Sequence, residues 1–110
     1  MKTALAKKQC ASCDGETPRL EGRQLEDLHK QLGNGWLIVD GHHLEKQFKF
    51  PDFKEALAYT NRIGDIAEKQ GHHPDIFLTY GEVRLKIFTH KIDGLTESDF
   101  ILAAQMEEAA

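Results

Sequence analysis

What this chain of 110 residues lacks narrows its class before any motif is considered. No apolar run approaches the roughly 20 residues a helix needs to cross a bilayer, so no membrane-spanning segment is expected. Behind the opening Met1-Lys2-Thr3-Ala4-Leu5-Ala6-Lys7-Lys8 there is no uninterrupted apolar stretch either. A cleaved secretory signal is therefore not expected, and the default compartment is the cytosol. Basic charge is not in excess: 14 Lys and Arg stand against 18 Asp and Glu, for a formal net charge of -4. Non-specific nucleic-acid binding depends on clustered cations that neutralise phosphates, so direct nucleic-acid binding is not expected. Cysteine is scarce. Cys10 and Cys13 form a single C-x-x-C in a polar stretch, whereas a structural zinc needs about four ligands. The pair reads as incidental thiols of a tail, with zinc or redox chemistry as the alternative.

What is present fits one globular domain. Apolar residues make up 40% and charged residues 29%, and a chain of this length buries roughly two thirds of the surface its unfolded form exposes. Residues 1–19 read as a polar N-terminal tail and 20–110 as the domain. From Leu20 the pattern is helical, with Leu25, Leu28 and Leu32 at spacings of three and four, and Gly33-Asn34-Gly35 ends it. Trp36 to Val39 reads as a strand and Asp40-Gly41 as a hairpin turn. In the next strand Leu44, Phe48 and Phe50 share one face, while His43, Glu45, Gln47 and Lys49 share the other.

Asp52 and Glu55 read as the start of a second helix whose buried stripe is Phe53, Ala56, Leu57, Ile63 and Ala67. Gly71 is placed to end it in a left-handed cap, and Pro74 forbids its continuation. Ile76 to Tyr80 and Val83 to His90 read as a second hairpin, and Thr96-Glu97-Ser98-Asp99 as the capping box of a third helix through Phe100, Leu102, Ala103 and Met106. The order α-β-β-α-β-β-α predicts an α+β two-layer sandwich, a four-stranded antiparallel sheet with three helices on one face. The polar face of the sheet is expected to be wet or partly covered by a partner.

Chemistry concentrates in Glu68-Lys69-Gln70-Gly71-His72-His73-Pro74, taken with Tyr80, His90 and Asp99. His72 and His73 leave the end of the second helix, and His90 is expected to end the last strand. Near neutral pH an imidazole supplies or accepts a proton at little energetic cost, so this grouping suits acid/base work. Pro74 biases His73 toward extended backbone, so the two adjacent side chains should diverge and take distinct roles. Each element also has a plainer reading. Asp99 is explained by the capping box, Glu68 by a solvated helix face, Tyr80 by sheet packing and Pro74 by a helix stop. A metal site of Glu68, His72 and His90 is disfavoured, because Gly71 should break the helix before His72. His42-His43 is a second doublet without this context, and marks how little a histidine pair says alone.

The spacing from Glu68 through His72-His73-Pro74, Tyr80 and His90 to Asp99 resembles the signature of the pterin-4a-carbinolamine dehydratase family. Gly35-Trp36, Phe48-Lys49-Phe50, Asp52-Phe53, Asn61-Arg62, Ala67-Glu68-Lys69, Thr89-His90 and Gly94-Leu95-Thr96 extend the resemblance over about residues 20 to 105. It implies dehydration of a 4a-hydroxytetrahydropterin to the quinonoid dihydropterin, which recycles the cofactor of an aromatic amino acid hydroxylase. The pterin is then the substrate, and no metal or redox cofactor is implied. By position, His72 and His90 become acid/base candidates and His73 a catalytic residue that binds or orients the pterin. Glu68, Pro74, Tyr80 and Asp99 become binding or supporting residues. The resemblance also implies a homodimer or homotetramer. Gly71 departs from those relatives that carry an acidic residue before the histidine pair. The alternative is a non-enzymatic assembly module or transcriptional-coactivator-type interaction module on the same fold.

Overall fold

The computed structural model describes residues 5–7 and 19–110; Cys10 and Cys13 lie outside the described residues. Helix α1 spans Gly22–Leu32, strands β1 and β2 Leu37–Val39 and His43–Lys49, and helix α2 Phe53–Gln70. Strands β3 and β4 follow at Asp75–Thr79 and Glu82–Ile87, then a short 3₁₀ turn at His90–Ile92 and helix α3 at Glu97–Glu108. The four strands form one antiparallel sheet in the order β1-β2-β4-β3. The α+β order expected from the sequence is therefore the observed one.

Local chemistry explains most boundaries. At the β1–β2 turn Asp40 and Gly41 both take positive φ, 55° and 64°, the conformation that matches the twist of a tight hairpin. Asp52 caps α2, its Oδ1 accepting from the Glu55 N–H at 2.9 Å. Gly71 ends the helix in the left-handed region, φ 65°, and the next residue's N–H turns back to the Ala67 carbonyl at 3.2 Å. That geometry is a Schellman-type stop, and it fixes the direction in which His72 leaves the helix.

One face of the sheet forms the core. Leu44 and Phe48 of β2 and Val83, Leu85 and Ile87 of β4 point inward and are buried with Trp36, Tyr59 and Ile63. The outer face carries His43, Glu45, Gln47, Arg84 and Lys86, with Leu37 and Phe77 as exposed apolar exceptions. Helix α3 is buried nearly all round, from Ser98 to Ala104 and again at Met106. It is a core helix with no wide polar face.

Three details differ from expectation. Phe53 and Leu57, assigned to the buried stripe of α2, are exposed; Tyr59 is buried instead and donates from its hydroxyl to the Met106 carbonyl at 2.8 Å. Ala56, Ile63 and Ala67 of the expected stripe are buried, so apolar spacing gave the facing of the helix; it left out Tyr59, which enters the core by satisfying its polar atom there. Burial also pushes the Tyr59 hydroxyl pKa well above its ordinary value, with the Glu107 charge adding to the effect. Strand β4 stops at Ile87, and Thr89 makes an isolated bridge to Gly94, so His90 opens a tight turn and does not end a strand. Finally, Leu5, within the stretch read as tail, is buried in the core, and the neighbouring Ala6 carbonyl accepts from Gln105 at 3.3 Å.

Leu5→Ala should therefore behave as a core truncation and cost about 2–5 kcal/mol. Denaturant unfolding would show it as a lowered midpoint at an unchanged slope; a stability equal to that of the parent chain would mean that Leu5 contributes nothing to the core.

Candidate active site

The end of α2, the start of β3, the turn after β4 and the start of α3 meet at one end of the sheet. The carboxylate of Asp99 joins three of these segments. Its Oδ1 accepts from His72 Nε2 at 2.5 Å, and its Oδ2 accepts from the Thr89 hydroxyl and the Thr96 N–H, each at 2.8 Å. The Thr96 hydroxyl lies 3.4 Å from the same oxygen. Asp99 is fully buried and the His72 side chain is 11% exposed. A carboxylate can only accept, so Nε2 of His72 carries a proton and Nδ1 is the ring's other available nitrogen. The capping role expected for Asp99 and its place beside His72 are thus two functions of one group.

His73 diverges from His72, as expected for the residue before Pro74. Its Nε2 meets Glu68 Oε2 at 2.5 Å on the surface, so Glu68 partners His73 and not His72. Pro74 leads directly into β3, whose first residue, Asp75, has its carboxylate 3.9 Å from His90 Nε2. His73 and His90 are each 59% exposed. His90 also packs against Phe88, with ring centroids 4.3 Å apart. Through these contacts His72, His73, Glu68, Pro74, His90 and Asp99 occupy one region.

Tyr80 does not join them. It follows β3 at the opposite end from Pro74 and is 69% exposed, roughly 20 Å along an extended strand. Matching a spacing placed it with the site, whereas strand geometry carries it away. Among the described residues no group of three or more His, Cys, Asp or Glu side chains is arranged to hold a metal ion. A surface cavity of about 310 Å³ lies elsewhere, between Arg19, Leu20, Gly22 and Leu25 and the Asp40-Gly41 turn. His73 and His90 are exposed, whereas His72 is nearly enclosed.

Residues to which the sequence assigned no role in the site adjoin this region. Thr89, buried, anchors the segment before His90 to Asp99 and Thr96. Asp93 closes the His90–Ile92 turn with φ 52° and accepts from His42 Nε2 at 2.6 Å. That hydrogen bond, followed by the His42 charge, holds the Asp93 carboxyl below its ordinary 3.8. Asp93 side-chain bonding would have been legible only with the tertiary structure in hand, since 51 residues separate it from His42.

Comparison with known proteins bears on the family and the fold. A family profile described as Pterin 4 alpha carbinolamine dehydratase matches residues 18–109. A relative in Alkaliphilus metalliredigens is 51% identical over 104 residues, covering 94% of each chain, and one in Rubrobacter xylanophilus is 52% identical over 103 residues, covering 94% of this chain and 95% of the other. Both are provisionally named pterin-4-alpha-carbinolamine dehydratases. A Brucella melitensis crystal structure described as a transcriptional coactivator/pterin dehydratase superposes with a TM-score of 0.79 at 34% identity, over 84% of this chain and 99% of that one. A pterin dehydratase-like RuBisCO assembly factor of the alpha-carboxysome shares the fold, with a TM-score of 0.62 at 20% identity over 72% of this chain and 93% of its own. The chain belongs to the pterin 4 alpha carbinolamine dehydratase family.

Two measurements test this geometry. Asp99→Ala strips a buried partner from His72, Thr89 and the Thr96 amide together and should cost roughly 3–5 kcal/mol, read as a lowered thermal midpoint; a midpoint unchanged from the parent would contradict the described network. For Asp93 the folded pKa lies below the unfolded one. Its contribution to stability is therefore present above the unfolded value and lost as pH falls through the folded value. Removing the His42 ring should raise the Asp93 pKa back toward 3.8 in a carboxyl NMR titration.

Proposed function

We propose that this protein dehydrates a 4a-hydroxytetrahydropterin to the quinonoid dihydropterin, with His72 and His90 exchanging the protons and His73 orienting the ring. The observation that carries the reading is the buried Asp99 carboxylate hydrogen-bonded to His72 at 2.5 Å, close to two exposed histidines, in a chain of this family. In the reaction the C4a–O bond breaks as the hydroxyl takes a proton and leaves as water. The N5–H bond gives up its proton, and its electron pair becomes the new C4a–N5 double bond. One proton is delivered and one withdrawn, so the ring undergoes no net redox change.

The pairing with Asp99 suits His72 to the withdrawing step. A buried carboxylate holds the imidazole in one tautomer and stabilises the imidazolium that forms when Nδ1 takes a proton. His90, exposed and beside Asp75, then supplies the proton to the leaving hydroxyl. His73, fixed by Glu68 and turned outward by Pro74, contacts the pterin from the other side. Because His73 and His90 lie on open surface, a homodimer or homotetramer could supply a further wall to the site. The physiological setting of this reading is the cytosol, in recycling of tetrahydropterin for an aromatic amino acid hydroxylase.

A second reading keeps the same fold as an interaction module. It is favoured by the description of the Brucella melitensis structure, which couples coactivator and dehydratase roles. The two diverge experimentally: a partner complex that survives replacement of His72, His73 and His90 in a pull-down belongs to the interaction module, not to catalysis.

For the enzyme, purified protein should accelerate loss of the 4a-carbinolamine absorbance, and His72→Ala or His90→Ala should each lower kcat by about 10²–10⁴-fold while circular dichroism stays native. An inactive parent protein, or histidine variants as fast as the parent, would sink the proposal.

A further inference from the structure

The doublet His42-His43 has no part in the proton transfers above, yet its contacts lead straight to the segment that carries His90. The β2–β4 register pairs Leu44 with Ile87, and one step further brings His43 opposite Phe88 on the outer face of the sheet. From the adjoining turn the His42 ring reaches Phe88 at 4.6 Å between centroids, and Phe88 in turn meets His90 at 4.3 Å. His42, Phe88 and His90 thus form a run of three rings.

A second link works from the other side of the same turn. His42 Nε2 donates to Asp93 at 2.6 Å, and the Asp93 N–H returns to the His90 carbonyl at 3.3 Å. Asp93 sits in the left-handed region, φ 52°, a conformation Asp tolerates but that its surroundings must hold. His42 therefore touches the turn on both sides of His90, two residues before it and three residues after it. Its own ring is set by His43, Nδ1 to Nδ1 at 3.0 Å, while His43 Nε2 lies 3.3 Å from Glu45. The Arg19 guanidinium donates to the Asp93 carbonyl at 3.3 Å, and the Lys86 ammonium lies 5.5 Å from the centre of the Phe88 ring. By contrast, His90 reaches a carboxylate only at 3.9 Å and is more than half exposed. An exposed side chain with such loose polar contacts takes its orientation from its packing and from the backbone beneath it.

We propose that His42 is a positioning residue for His90, holding the imidazole in its working orientation through the Phe88 ring and through the Asp93 carboxylate. The inference rests on the reading of His90 as a proton donor in the dehydration. Reaction rate is sensitive to misplacement of a proton-transfer group, a shift near 1 Å costing on the order of 10²-fold. A residue that acts only by positioning another changes turnover and not substrate binding, so loss of His42 should appear in kcat and not in KM.

The test uses the full chain labelled at histidine, with ring signals followed by NMR alongside steady-state dehydration of the 4a-carbinolamine. In His42→Ala the His90 ring signals should move, while those of His72, held by Asp99, stay in place. The kcat should fall by about 10- to 100-fold with KM within about twofold of the parent. His42→Gln, whose side-chain amide can still donate to Asp93, should bring both readouts part of the way back. His90 signals in His42→Ala that coincide with the parent's would overturn the proposal, as would a displacement of His72 and His90 signals alike, which marks general loosening of the fold. A parent protein without dehydratase activity would sink the proposed reaction instead, and the ring signals would still decide whether His42 positions His90.

Discussion

The region of chemical interest depends on one buried carboxylate. Asp99 brings together the residue that leaves α2, the threonine that follows β4 and the first turn of α3. An ionised carboxylate taken out of water is costly unless its lone pairs are filled by donors. Here an imidazole, a hydroxyl and a backbone amide fill them, with a second hydroxyl close by. Among the described residues no buried side-chain nitrogen or oxygen lacks a partner. The same bonds that relieve the desolvation of Asp99 also fix the relative placement of three chain segments, so capping and site-building are one physical event.

From that anchor the site divides into a held part and an open part. His72 is nearly enclosed and has one nitrogen committed to Asp99, whereas His73 and His90 stand on the surface with partners at the rim. Such a division suits a reaction needing one group of fixed tautomer and others that meet a ligand arriving from solvent. The surface histidines are each given direction by neighbours: Pro74 and Glu68 for His73, Phe88 and the Asp93-closed turn for His90. The turn after β4 is also bridged by Thr89 and Gly94, so its backbone is tied at both ends.

Much of the fold was legible locally. Asp40-Gly41, Asp52, Gly71 and the Thr96 to Asp99 segment each carry a backbone instruction that needs no distant partner, and each appears at the place it was read. The failures share a cause. Phe53 and Leu57 are expected in the core because apolar spacing counts residue type, yet both are exposed, while Tyr59 joins the buried Ala56, Ile63 and Ala67 by bonding its hydroxyl to the Met106 carbonyl of α3. Helix α3 could not be recognised as buried all round, since a fully enclosed helix loses the polar stripe that marks orientation. Tyr80 followed the family spacing, but β3 carries it to the opposite end of the sheet.

By itself the sequence determined the order of elements, their caps and turns, the α+β class and the identity of the histidines near the end of α2, because all of these follow from interactions within a few residues. It also determined the family, through a spacing long enough to be specific. Only the tertiary structure decided that Asp99 belongs to His72, Glu68 to His73 and Asp93 to His42, and that the last strand stops short of His90. The physical reason is that a hydrogen bond is satisfied by whichever partner packing brings within about 3 Å, and packing is set by the whole core at once.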